Sequence, residues 1–172
     1  MKKAKLIIDG KEIEIVIPQE QFDKLFPQKK KTGYERVDDE EHYYYMGYDG
    51  RIKLELENDN HSNKVSYEAA NYYSNKTIAE NNARADKLMR QLRRFAVEHR
   101  KKPIDWIDTR NSPWVFTILG DPLTKRLSVK KDGCGIKQFG TIYFDTKETA
   151  QLAIDTFKDE LLWYFTEYKD AL

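Results

Sequence analysis

The sequence is short of cysteine and of long apolar stretches. Its only cysteine is Cys134, which excludes an intramolecular disulfide and favours a reducing compartment, the cytoplasm. No apolar run reaches the roughly 20 residues that a helix needs to span a bilayer, and no segment has the apolar core of a signal peptide. We therefore expect a cytoplasmic protein that does not bind a membrane.

An excess of charge of one sign is also absent. The 172 residues include 30 Lys and Arg against 29 Asp and Glu, for a formal net charge of +1. No global attraction to nucleic acid or to a membrane surface follows from that balance. The chain has 11 Tyr and 8 Phe, too many aromatic residues for a disordered protein. Its length is enough to bury a core in one domain or two small ones.

Recognisable catalytic motifs are missing as well. His42, His61 and His99 lie far apart, and no two of them have the spacing of metal ligands. Cys134 stands between two glycines, with no sign of a neighbouring base that would activate a thiol, and the loop is too short to cradle a phosphate. The sequence predicts no catalytic residue, no metal ligand and no cofactor.

One acidic run, Asp38–Glu41, permits a different interpretation. Several carboxylates together can hold the divalent cations that phosphodiester cleavage needs, whereas the simpler interpretation is a solvated loop. A metal-dependent nuclease is kept as an alternative on this ground.

The most informative segment present is Tyr72–Lys102, which predicts one long amphipathic helix. Ser74 and Thr77 are candidate N-caps, and Thr77 with Glu80 forms a possible capping box. Pro103 is expected to end the helix. Its apolar residues recur every three or four positions and form one stripe: Ile78, Ala85, Leu88, Met89, Leu92, Phe95 and Ala96.

The opposite face of this helix is basic, and a basic face can contact phosphates through several donors. Two tyrosines of a neighbouring hairpin, predicted to be exposed, could stack on bases. The alternative is the ordinary charged outer face of an amphipathic helix. The candidate binding residues are Arg84, Lys87, Arg90, Arg93, Arg94, Tyr44 and Tyr48.

Alternating residues predict hairpins on both sides of the helix. A two-residue turn at Asp9-Gly10 would pair Leu6 with Ile13 and Ala4 with Ile15. A short helix over Gln19–Phe26 is expected after it.

The second hairpin, Tyr43–Leu56, is predicted to turn at Asp49-Gly50. That turn would pair Tyr45 with Leu54 and Tyr43 with Leu56. The segment Asn58–Asn63 has the polar composition of a turn.

Beyond Pro103 the alternation predicts strands at Trp114–Ile118, Leu127–Val129 and Phe139–Phe144. Asp145 or Thr146 is expected to cap a final helix. The residues that this helix would bury are Ala150, Ala153, Ile154, Phe157, Leu161, Tyr164 and Phe165.

Two segments share a pattern of aromatic residues, a cap and an alanine: Tyr72–Ala79 and Tyr143–Ala150. They predict a βββα-type unit used twice, from about Tyr34 to Lys102 and from about Ile104 to Leu172. The expected fold is α+β, with antiparallel hairpins each covered by a long helix. The predicted divisions are residues 1–30, 31–102 and 103–172, with a basic linker before the second.

Four segments resemble a family of small accessory proteins from phages and prophages of Gram-positive bacteria. They are Lys31–Val37, Asn71–Lys76, Leu88–Ala96 and Trp163–Lys169. The resemblance implies a mobile-element protein in the bacterial host cytoplasm. It carries over no catalytic residues, and it implies an action on host defence systems.

The expected function is therefore non-catalytic binding to a host protein or protein–nucleic acid complex, as an inhibitor of a bacterial defence system such as a CRISPR-type nuclease. One alternative is a nucleic-acid-binding module that uses the arginine face of the central helix. Sequestration of a small signalling nucleotide and the metal-dependent nuclease are the others. The sequence does not determine an oligomeric state.

Overall fold

A computed structural model of the chain describes residues 2–8, 11–25, 31–107, 110, 114–133 and 135–171. The chain divides into two compact units, residues 1–32 and 33–172. The segments predicted for 31–102 and 103–172 fall in the second unit, apart from residues 31 and 32. Among the described residues, no helix is both long and apolar enough to cross a membrane.

The first unit is a hairpin followed by a helix. Strands β1 (Lys2–Ile8) and β2 (Lys11–Ile17) pair antiparallel, and helix α1 covers Gln19–Leu25. The predicted pairs, Leu6 with Ile13 and Ala4 with Ile15, are confirmed. The predicted turn at Asp9-Gly10, Phe26 at the end of the predicted helix and most of the basic linker lie outside the described residues.

The second unit begins with a hairpin of β3 (His42–Met46) and β4 (Ile52–Leu56), followed by helices α2 (His61–Glu68) and α3 (Lys76–Glu98). A second hairpin of β5 (Trp114–Asp121) and β6 (Arg126–Gly133) precedes helices α4 (Lys147–Thr156) and α5 (Lys158–Thr166). Helices combined with short antiparallel sheets confirm the predicted α+β class.

The predicted register of the β3–β4 hairpin is wrong by one residue. Tyr44, not Tyr45, lies opposite Leu54. The reason is the loop, which has three residues instead of two: Gly47 N–H donates to the Arg51 carbonyl, and Gly50 ends the loop with φ of +76°. Glycine accepts such a positive φ without strain, as three-residue hairpin loops require. Because side chains alternate along a strand, the shift exchanges the faces of the tyrosines.

Helix α2 was not predicted, because its sequence has no apolar stripe. A polar capping box starts it instead: the Asn60 side chain accepts from Asn63 N–H, and Asn63 Oδ1 accepts in turn from Asn60 N–H. Asn63 is fully buried and also donates to Tyr43 Oη at 3.1 Å. The segment predicted to be a turn is therefore the start of a helix that packs on β3.

Helix α3 has the predicted apolar stripe but a different cap. Asn75, not Ser74 or Thr77, accepts the Ile78 N–H at 3.1 Å, and the helix ends at Glu98, before the predicted limit. Ser74 instead donates its hydroxyl to Glu35 at 2.9 Å. Because its side chain is used there, Asn75 caps the helix. Ala79 is buried although it was not predicted to belong to the apolar stripe. Met89, which was predicted to belong to it, is half-buried.

The third strand predicted at Phe139–Phe144 is also wrong. A single residue of that segment, Phe144, bridges antiparallel to Phe116, as Tyr73 bridges to Tyr44 beside the first hairpin. Each bridge comes just before a helix N-cap, Asn75 for α3 and Thr146 for α4, and the chain must leave the sheet there. The final helix, predicted as one, is divided at Phe157 into α4 and α5.

Helix α3 belongs to two hydrophobic clusters. Near its start, Ile78 and Ala79 pack with Tyr73 against the first hairpin. Further along, Leu88 and Leu92 enter a larger cluster with the second hairpin. The other buried members of this larger cluster are Phe95, Ala96, Phe144, Ala150, Ala153, Ile154 and Leu161. One long helix thus joins the two predicted sheet-plus-helix segments through a shared core.

Candidate functional site

The most strongly perturbed ionisable groups form a buried network beside the first hairpin. Glu57 is 3% exposed and accepts two hydrogen bonds from the Arg36 guanidinium, at 3.0 and 3.1 Å, and one from Tyr72 Oη at 2.7 Å. The Arg36 hydrogen bonds lower the pKa of Glu57 from 4.5 to about 2, against the opposing effect of its burial. Burial and the Glu57 carboxylate raise the pKa of Tyr72.

This network is a structural one. Tyr72 Oη also accepts the Val37 N–H, and Asp59 N–H and the Arg36 guanidinium complete the partners of Glu57 Oε1. A carboxylate whose oxygens are already occupied by the protein has no position left for a substrate. Perturbed pKa values therefore mark the centre of the first hairpin's packing and not a reactive site.

The predicted binding residue Arg84 is engaged within the protein. Its guanidinium makes a two-pronged salt bridge with Glu160 of α5, at 2.8 and 3.1 Å, and lies 4.0 Å from the centre of the Trp163 ring. Both contacts join α3 to α5. The hydrogen bonds to Glu160 raise the pKa of Arg84 and leave little of its donor capacity for an external ligand.

Three other predicted residues meet at one open cleft, which we call the loop cleft. It has a volume of about 770 Å³ between the β3–β4 loop and α3. Its lining comprises Met46, Gly47, Tyr48, Asp49, Gly50, Arg51, Lys87 and Arg90. Arg51 adds a third cation, and Asp49 contributes one carboxylate, which accepts the Arg51 N–H at 3.2 Å. The cleft is large enough for a polar ligand of small-molecule size.

The two predicted tyrosines have different surroundings. Tyr48 stands fully exposed at the tip of the loop, with the Lys53 ammonium 4.9 Å from its ring centre. The prediction that Tyr44 is exposed is wrong: it is half-buried against the cluster around Tyr73. The cause is that both faces of β3 are covered: Tyr43 on one face is fully buried, and Tyr44 on the other packs against Tyr73 and Ile78. Tyr48 alone of the pair is placed to stack on a ligand.

Arg93 lines a second cleft, of about 330 Å³, which we call the tryptophan cleft. Its cations are Arg93, Arg100 and Lys137, and its rings are Trp106 and Tyr143. The remaining lining residues are Ala96, Val97, Ile104, Gln138, Thr141 and Ile142. Sequence analysis did not identify this cleft, since its two halves are more than 30 residues apart and neither contains a motif.

The two clefts adjoin along α3. Arg90 of the loop cleft and Arg93 of the tryptophan cleft are three residues apart, hence neighbours on the helix surface. We call Lys87, Arg90, Arg93 and Arg100, with Arg51 and Lys137 at the ends, the cationic track. The fourteen residues from Lys87 to Arg100 span about 20 Å, at ~1.5 Å per residue along α3, which ends at Glu98.

The far end of the track is fixed by a buried carboxylate. Asp145 is 3% exposed, and one of its oxygens accepts the N–H groups of Lys101 and Lys102, at 2.7 and 3.0 Å. These contacts hold the chain just after α3 against the second hairpin's helix. Arg100 is therefore presented from an anchored segment and not from a frayed helix end.

Positive charge predominates along residues 87–102. The single acidic residue between positions 87 and 102 is Glu98, which lies 3.8 Å from Arg94. The basic residues of the stretch are Lys87, Arg90, Arg93, Arg94, Arg100, Lys101 and Lys102. Among the described residues, none forms an ion pair with Arg90 or Arg93. Arg94 is exposed but lines neither cleft.

Candidate metal ligands are not brought together in the part of the chain that the structure describes. No group of three or more His, Cys, Asp or Glu side chains there could hold a metal ion. His99 stacks on Phe95 and bonds its carbonyl at 3.0 Å, which accounts for its position structurally. The Asp38–Glu41 segment is a loop whose Glu40 N–H donates to the Glu57 carbonyl. Cys134 lies outside the described residues.

Comparison with known proteins adds no residue to this site. The resemblance to phage accessory proteins stays a prediction. No family model, no curated protein and no solved structure matched the chain.

Proposed function

We propose that this protein is a non-catalytic nucleic-acid-binding protein whose cationic track contacts the phosphate backbone. The observation that carries the proposal is the pair Arg90 and Arg93, exposed neighbours without an ion pair among the described residues, between two clefts that contribute further cations. Unpaired guanidinium groups in a row are suited to phosphates, which accept several hydrogen bonds from one arginine.

The dimensions of the track support this proposal. A track of about 20 Å is long enough to contact several consecutive phosphates of one strand. Tyr48 stands exposed at one end, in a position to stack on a base. The near-neutral net charge of +1 does not oppose binding, because a local concentration of cations determines the contact.

The biological setting that we propose is the cytoplasm of a bacterial host, as the resemblance to phage accessory proteins implies. A protein that covers phosphates without cleaving them would obstruct a nuclease that needs the same strand. The sequence supports two hypotheses, inhibition of a host defence system and binding of nucleic acid. Both are met if the protein inhibits a defence nuclease by binding its nucleic acid. Binding to the protein component of such a complex would be independent of the track.

The direct test is a salt titration with a labelled single-stranded oligonucleotide, followed by fluorescence anisotropy. We expect affinity to fall linearly on a log–log scale as salt rises, because each phosphate contact releases counterions. The double variant Lys87→Gln with Arg90→Gln should reduce the slope by about 1.4, since each contact on a single strand contributes about 0.7.

A matched control removes the same charge elsewhere. Lys147→Gln with Lys158→Gln changes two exposed lysines at the starts of α4 and α5 and should leave the slope unchanged. Equal losses in both double variants would mean that net charge alone acts. No binding by the unmodified protein at low salt, where electrostatic attraction is least screened, would reject the proposal.

A further inference from the structure

The tryptophan cleft contains features that phosphate binding alone does not explain. The Trp106 ring is half-buried and lines the cleft, and Tyr143 supports it edge-on, with ring centres 4.8 Å apart at an angle of 73°. Such an edge-to-face pair fixes the orientation of the indole. The Lys137 ammonium lies 5.0 Å from the centre of the Trp106 ring, so a cation and an aromatic surface are combined at one point.

We propose that the tryptophan cleft is a subsite for one unpaired nucleobase of a single strand that follows the cationic track. This inference rests on the function proposed above and specifies its ligand. Trp106 supplies the stacking surface, while Arg93, Arg100 and Lys137 surround it with cations for the adjoining phosphates. Aromatic stacking beside a cationic groove is the usual means by which proteins hold single strands without reading their sequence.

The size of the cleft agrees with this occupant. Its volume of about 330 Å³ lies at the lower end of the range of about 300–1,000 Å³ for small-molecule clefts. A paired base is covered by its neighbours in the stack and cannot reach a cleft beside the phosphate path. The ligand is therefore a single strand, or a strand end, and not an intact duplex.

Internal anchoring keeps this site in place. The Tyr143 hydroxyl accepts the Gln138 N–H, which closes the loop that carries Lys137. The next residue, Phe144, is buried and bridges to Phe116 of strand β5. The stacking surface is thus held by the second hairpin's core before any ligand arrives, and this preorganisation reduces the entropy lost on binding.

The test compares two labelled strands of equal length and charge, one with normal bases and one built of abasic sugar phosphates. The unmodified protein should bind the strand with bases about tenfold or more tightly, in line with stacking of one base. Trp106→Leu should reduce that preference about fivefold or more, the share of one stacked base, and leave the affinity for the abasic strand unchanged. Any preference that remains is then the contribution of the exposed Tyr48. Trp106→Leu should also leave the affinity for a duplex of the same length unchanged, because paired bases cannot enter the cleft.

The chain offers a matched control in Trp114, which also lies beside a lysine, with Lys131 3.9 Å from its ring centre, but lines neither cleft. Trp114→Leu should retain the preference for bases. Equal binding of both strands by the unmodified protein would overturn the subsite and leave the proposed function standing. Failure to bind either strand would reject both, and loss of preference in Trp114→Leu alone would place the stacking elsewhere.

Discussion

The two hairpins of the second unit are built alike but held together by different forces. Beside the first hairpin, Tyr43 and Tyr72 stack with ring centres 4.0 Å apart, and Glu57 and Asn63 are buried with hydrogen bonds to them. Beside the second hairpin the large cluster is aliphatic and phenylalanine-rich, with Leu92 near its middle.

The difference shows that the same local arrangement can be stabilised by hydrogen bonds or by apolar burial. A buried polar network depends on every partner, because one lost donor leaves another group unsatisfied in a medium of low dielectric. An apolar cluster depends on volume, since any void removes dispersion contacts. The first hairpin should therefore respond to pH and to isosteric changes, and the second to truncation of side chains.

The largest effect is expected from Leu92→Ala, which removes volume from the second cluster. Leu92 is 4% exposed, and truncation of a buried leucine costs about 2–5 kcal/mol of unfolding free energy. Denaturant unfolding measures this change. Val97→Ala, at a 63% exposed position on the same helix, is the control and should change stability by less than about 0.5 kcal/mol. A similar small change at Leu92 would contradict the division of α3 between the two clusters.

An intermediate effect is expected from Glu57→Gln in the first hairpin. The amide keeps the shape of the side chain but leaves one neutral acceptor oxygen. Its NH2 group faces donors, the Arg36 guanidinium with either Tyr72 Oη or Asp59 N–H. Loss of satisfied partners in a buried site costs about 1–3 kcal/mol, measured by denaturant unfolding near neutral pH. An unchanged free energy of unfolding would show that the network does not stabilise the fold.

The same carboxylate predicts how stability varies with pH. The pKa of Glu57 is lowered from 4.5 in the unfolded chain to about 2 in the folded one. The unfolded state therefore takes up the proton first, so the stabilisation is complete above pH 4.5 and declines as the pH falls toward 2. The difference in unfolding free energy between the native protein and Glu57→Gln should shrink over this range. A constant difference would exclude Glu57 as its source.

The smallest effect is expected from Arg84→Gln, which separates structure from binding on α3. Its exposed salt bridge with Glu160 and its contact with Trp163 should together contribute about 1 kcal/mol or less. Thermal unfolding should therefore shift slightly downward, while oligonucleotide binding should be unchanged because Arg84 is already engaged within the protein. If Arg84→Gln lost as much affinity as Lys87→Gln with Arg90→Gln, Arg84 would be part of the binding surface.

Local sequence patterns predicted the parts of the fold that depend on local rules. The apolar stripe of α3 and the pairing of β1 with β2 follow from periodicity and were confirmed. The β3–β4 register was missed because a two-residue and a three-residue loop share the same Asp-Gly signal. The backbone of Asp49 distinguishes them: the two-residue turn requires a positive φ there, and Asp49 does not have one. The break at Phe157 was missed because the apolar period continues through it. The internal βββα repeat is not confirmed, because each described sheet of the second unit has two strands and a single bridging residue beside them.

The candidate site shows the same limit. Sequence placed Lys87, Arg90 and Tyr48 among the binding residues, because basic and aromatic side chains on predicted exposed faces are visible in a helix pattern. It also placed Arg84 and Tyr44 there, although each has its main contact with a residue remote in sequence, Glu160 and Tyr73 respectively.

Composition and periodicity alone predicted the class of fold, the apolar and basic faces of α3, and the lack of a catalytic motif. Which basic residues are paired and which face a cleft depends on tertiary contacts. The physical reason is that periodicity specifies the direction of a side chain from its own helix or strand. Whether that direction ends in solvent, as for Arg90, or at a partner's carboxylate, as for Arg84, depends on elements that the chain brings together over long separations.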